Sequence, residues 1–117
     1  MRKLVNFLLL TLLLCCRTIA GLPEEPKPPI IKTLGALAKY ETQLSEYVMY
    51  LVTFLAKTKV KVNDPNYPEF TYPDLSTLKE EHSMPSVKHN IKLLLEYIQK
   101  TKPIAKKVYN QYSRLKM

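Results

Sequence analysis

His82, His89 and the neighbouring Glu80 and Glu81 are the side chains in this 117-residue chain whose types could bind a metal or move a proton. Two histidines and a glutamate make a zinc site when both histidines share one helix face, as in His-Glu-x-x-His. That spacing is absent. Pro85 stands between the histidines, and adjacent Glu80 and Glu81 point to different sides of any helix. Ser83, Ser86, Asp64 and Asp74 could complete a serine-nucleophile set with a histidine. No nucleophile elbow accompanies them, and no glycine follows Gly35. The reading is of surface histidines, no catalytic residue, no metal site and no cofactor.

The two cysteines, Cys15 and Cys16, close an apolar run that opens at Leu4, after the basic pair Arg2 and Lys3, and is almost unbroken leucine from Phe7 to Leu14. Thr18-Ile19-Ala20 places small residues where a signal peptidase cuts, before Gly21. The run is shorter than the ~20 residues of a membrane-spanning helix. A bacterial lipid-attachment signal calls for small residues just before its cysteine, and Leu13-Leu14 before Cys15 are bulky. Residues 1–20 are therefore read as a cleaved signal peptide, and the protein as secreted and extracellular. Both cysteines would leave with it, so the mature chain has no thiol chemistry and no disulfide. A small secreted domain without disulfides must be held by helix packing or by a partner.

The elements follow from composition and period. Residues 21–29, GLPEEPKPP, form a proline-rich extended arm, a docking peptide or propeptide or, more simply, a solvated tail. From Ile30 to Lys57 the apolar residues at 30, 34, 37, 44, 48, 51 and 55 step by three and four, the period of a helix. Its centre, with Tyr47, Val48, Leu51, Phe54 and Leu55, is apolar nearly all round and should pack against the rest of the domain or a second copy. Lys57 to Val62 alternates and reads as a frayed end or short extended piece. Residues 63–73, with Pro65, Pro68 and Pro73 among Tyr67, Phe70 and Tyr72, form a loop whose rings cover the core or make a recognition surface. Asp74 and the Thr77-Leu78-Lys79-Glu80 capping box predict a short helix over 75–82. Ser86 caps a last helix over 86–116, kinked at Pro103, whose stripe at 91, 98, 105 and 112 holds one seven-residue register across the proline. The fold class is all-α: a small antiparallel hairpin or bundle of two long helices plus a short third, in one domain over 30–117.

Charge narrows the partners. The chain carries 18 basic against 10 acidic side chains, and the excess gathers after residue 86. Lys88, Lys92, Lys102, Lys106 and Arg114 lie mostly off the apolar stripe of the last helix, a cationic surface suited to an acidic glycan or an anionic membrane. Secretion makes nucleic acid the least favoured partner; an extracellular protein or self-association is the first choice.

The Leu-rich signal ending Thr18-Ile19-Ala20, the basic cysteine-free helical chain after it, and Leu34-Gly35-Ala36-Leu37-Ala38-Lys39-Tyr40 together resemble the small secreted proteins of insect male accessory glands. That resemblance implies a seminal-fluid interaction protein without enzymatic activity, acting in sperm storage or competition. The alternative, from charge and amphipathicity, is a membrane-active cationic peptide or precursor working through residues 86–117.

Overall fold

The computed structural model describes residues 22–112. Two α-helices of 29 residues each, α1 (Leu34–Val62) and α2 (Met84–Tyr112), carry the fold, with a single 3-10 turn at Leu75–Thr77 between them. The described residues contain no strand. The expected all-α, disulfide-free class of two long helices with a short third element stands.

Helix α1 starts later and ends later than its apolar period suggested. Thr33 Oγ1 accepts from the Ala36 amide at 3.2 Å, so the cap sits after Ile30 and Ile31, which are left exposed. The alternating Lys57–Val62 stretch is helical. Lys59 and Lys61 lie where the dipole favours cations, and Asn63 ends the helix in the left-handed region at φ 45°. Helix α2 also starts early. Ser83, rather than Ser86, serves its first turn, accepting from the Val87 amide through its carbonyl (2.9 Å) and from the Ser86 amide through its hydroxyl (3.4 Å). Pro85 falls within that first turn, where its missing amide costs little. Pro103 lies inside the helix. An interior proline costs about 3 kcal/mol, and α2 nevertheless continues, because Thr101, Ala105 and Val108 around it are all buried against α1 while the proline itself faces outward.

The core is the seam between the helices. Leu44, Val48, Leu51 and Leu55 of α1 and Ala105 and Val108 of α2 are fully buried, and Val87, Leu94 and Ile98 nearly so. Two hydrogen bonds between the helical segments give their relative direction. Near the start of both helices Asn90 Nδ2 donates to Glu41 Oε1, a separation of 49 residues. At their far ends Tyr112 Oη donates to Asp64 Oδ2, a separation of 48. A nearly constant separation means the helices run side by side in the same direction; antiparallel helices would have a constant sum of residue numbers instead. The antiparallel arrangement expected from the sequence is thus corrected to a parallel one. The physical reason is the connection: residues 63–83 are far longer than the 2–8 residues of a tight helix–helix turn, and they travel the whole length of the pair back to its beginning.

Along that return, Tyr67 Oη donates to the Leu55 carbonyl (2.7 Å), Tyr97 Oη to the Thr71 carbonyl (2.6 Å), and Lys79 N to Asn90 Oδ1 (2.8 Å). The helix expected over 75–82 shrinks to the one turn seeded by Asp74, whose carboxylate accepts from the Ser76 amide. Thr77 donates its hydroxyl to the Asp74 carbonyl, so no capping box forms there. The proline arm is not a free tail. Pro23, Pro26 and Pro29, three apart, are each half-buried while Glu24 and Lys27 are exposed, the spacing of a polyproline turn laid on a surface. It runs opposite to both helices: Glu25 pairs with Lys102 at 3.2 Å, and Pro28 lies near Tyr40 and Ile91, closer to their amino ends.

Candidate functional site

The basic residues singled out from the sequence divide between two places. Lys88 and Lys92 are exposed on the first half of α2. Lys102 is half-buried and held by Glu25, whereas Lys106, one turn on, is exposed. Arg114 lies outside the described residues. The apolar set does not form a surface. Val48, Leu51 and Leu55 have no exposure and Tyr47 has 5%. Phe54 alone is partly open, stacked on Tyr50 with ring centres 6.4 Å apart. That face is covered by the chain's own second helix.

Beside it, the arm and the helix pair enclose an open cleft of about 560 Å³, lined by Leu22, Glu25, Tyr47, Lys102, Lys106 and Tyr109. The Tyr47 hydroxyl is buried here without a hydrogen-bond partner, and burial followed by the Glu25 charge pushes its pKa up. Tyr47 therefore stays a neutral phenol across the physiological range. His82 and His89 are exposed, and no group of three His, Cys, Asp or Glu among the described residues could hold a metal ion.

Two polar clusters that sequence reading missed do the positioning. Asn90 is 3% exposed, and its amide joins three segments: Nδ2 donates to Glu41 Oε1 (2.6 Å) and to the Lys79 carbonyl (2.8 Å), and Oδ1 accepts from the Lys79 amide. An asparagine has the donors and acceptor to satisfy all three at once. At the other end Asp64 accepts from the Asn66 amide and from the Tyr112 hydroxyl, both of which hold its carboxyl below the usual range. The Tyr67 ring packs 5.6 Å from that of Tyr112, and burial pushes the Tyr67 hydroxyl up to about 12. No periodic signal marked Asn90, which lies one residue before the Ile91, Ile98, Ala105 and Tyr112 series.

No helix of the described residues is long and apolar enough to cross a membrane. Ile91, Leu94, Ile98 and Val108, the stripe a membrane-active peptide would insert, are buried against α1.

Comparison with known proteins adds what geometry does not. The model of the Borrelia orf-D family matches residues 21–114. A protein of Borreliella burgdorferi strain B31 described as outer membrane lipoprotein BBA14 is 54% identical over 109 residues, covering 92% of this chain and 90% of its own. These bacterial matches overturn the insect accessory-gland resemblance, and with it the seminal-fluid and reproductive reading. The membrane-active peptide alternative finds no support in them either. The error has a physical origin: a leucine-rich export segment and a basic helical chain reflect only export and helix packing, which unrelated proteins meet in the same way. Export agrees with the relative's description; free secretion does not.

Proposed function

The chain belongs to the Borrelia orf-D family, and from that premise we propose that it is an outer membrane lipoprotein, anchored by acyl chains on Cys16 and carrying the helix pair as its water-exposed part. The observation that carries the reading is the 54% identity, over nearly the whole of both chains, to a relative so described. Cys15 and Cys16 support it, since a thioether to a diacylglycerol needs a thiol at the end of an apolar export segment and these are the chain's two cysteines. Cys16 follows Cys15, a small side chain, and so escapes the objection that Leu13-Leu14 raise against Cys15. Each buried methylene contributes about 0.8 kcal/mol, and two or more acyl chains hold a protein that one chain binds only marginally. No catalytic activity is part of this reading.

Radiolabelled palmitate fed to Borreliella burgdorferi expressing the protein tests it. The wild type should take up label and enter the detergent phase of Triton X-114. Cys16→Ala should lose the label and move to the aqueous phase, while Cys15→Ala keeps it. An unlabelled, aqueous wild-type protein would overturn the proposal, and protease treatment of intact cells would report which side of the outer membrane it faces.

A further inference from the structure

The arm, the parallel helices and the distribution of lysine bear on a question that anchoring leaves open, namely which end of the molecule meets the membrane. We propose that the carboxyl ends of both helices face the bilayer and that exposed Lys57, Lys59, Lys61, Lys106 and Lys107 rest on anionic lipid headgroups. The amino ends, with exposed Ile30 and Ile31, then point away from it. This rests on the acyl-anchor reading.

The first argument is chain length. Leu22 lies in the cleft with Lys106 and Tyr109, in the last third of α2. At 1.5 Å per residue, Lys106 is about 9 Å from the carboxyl end of α2 and about 33 Å from its amino end. From Cys16 to Leu22 the chain spans at most about 22 Å fully extended. An acyl group on Cys16 can thus bring the carboxyl ends to the headgroups, whereas the amino ends lie beyond its reach from Leu22. Because the helices are parallel, this choice applies to both at once; in an antiparallel pair one carboxyl end would have pointed outward.

The second argument is charge. The five lysines at the carboxyl end are all exposed. The acids on that half are Asp64, engaged by Asn66 and Tyr112, Glu69, and Glu24 and Glu25 of the arm, the latter paired with Lys102, which is a sixth lysine there. The opposite end mixes Lys32, Lys79 and Lys88 with Glu41, Glu80 and Glu81. The end the tether draws to the membrane is therefore the one with the cationic excess. Each lysine at an anionic surface strengthens binding roughly fivefold, within a Debye length of about 8 Å at physiological salt.

The test uses the full lipidated protein with a bimane label on Val60→Cys or on Ile31→Cys, both exposed sites at opposite ends. It is reconstituted in vesicles of phosphatidylcholine with 30% phosphatidylglycerol and a headgroup spin-labelled lipid as quencher. Flotation with the vesicles reports the anchor; quenching reports the orientation. The label at residue 60 should be quenched at least threefold more than that at residue 31. Lys57→Gln/Lys59→Gln/Lys61→Gln, or vesicles without phosphatidylglycerol, should bring the two closer together. Flotation with equal quenching, or with residue 31 the more quenched, overturns the orientation and leaves the anchor standing. Failure to float overturns the anchor. The unacylated Cys15→Ala/Cys16→Ala chain then decides the basic surface alone: a loss of phosphatidylglycerol-vesicle affinity on the order of a hundredfold in the triple glutamine variant upholds it, and an unchanged affinity refutes it.

Discussion

Two extended segments run back along the parallel helices, and they are held by different means. The crossover, residues 63–83, is fastened at three levels: buried Tyr67 on Leu55 and Tyr112, half-buried Tyr97 on the carbonyl of exposed Thr71, and buried Asn90 on Lys79. The arm, residues 22–33, has one ion pair between half-exposed side chains and half-buried prolines over an open cleft. A buried hydrogen bond removed on one side leaves a desolvated partner, whereas a half-exposed ion pair removed leaves two solvated ions. The crossover is therefore held more firmly than the arm, whose Leu22 packs against the edge of the core and whose ion pair adds little to the stability of the whole.

The largest effect should come from the seam on which both segments rest. Leu94→Ala should cost about 2–5 kcal/mol, read as a lower midpoint in thermal or urea unfolding. An unchanged midpoint would mean the helices do not pack as described. Next is the crossover pin: Asn90→Leu should cost about 1–3 kcal/mol by stranding the Lys79 amide and carbonyl, with faster amide exchange at Lys79 rather than in the arm. Tyr67→Phe should cost about 1 kcal/mol through the lost bond to Leu55. Tyr67 also supplies a pH test. Its folded pKa, about 12, lies above the ordinary value of 10.0, so its stabilisation is complete below pH 10 and is lost as pH rises from 10 through 12. Alkaline unfolding monitored at the tyrosinate absorbance should show that loss in the wild type and much less of it in Tyr67→Phe. The smallest effect belongs to the arm. Lys102→Gln should change global stability by less than about 1 kcal/mol while raising amide exchange over residues 24–27. A cooperative loss of the whole fold on that change would erase the distinction between the two segments.

How much of this was legible in the sequence differs residue by residue. Leu44, Val48, Leu51 and Leu55 announced their burial through their three-and-four spacing, and Ala105, Val108 and Tyr112 through a register kept across Pro103. Lys57–Val62 misled because lysine and valine alternate there, a strand-like pattern that an end-of-helix position overrides once Asn63 supplies the left-handed cap. Asp74 signalled a turn but not its length, since prolonging it into a helix would have pulled Lys79 away from Asn90. Of the candidate basic site, the exposure of Lys88, Lys92 and Lys106 followed from the helical period. The pairing of Lys102 with Glu25 did not, because it joins residues 77 apart.

By itself, then, the sequence determined that two long helices form, which stripe of each is buried, and that disulfides do not hold them. These are local matters of period, capping and composition, settled within a few turns of chain. Only the tertiary structure decided that the helices are parallel, that the aromatic loop is a return strap, and that the arm runs back toward the basic end. Those depend on where a connection travels in space and on single bonds such as Asn90 to Glu41, between segments 49 residues apart, whose meeting no local pattern encodes.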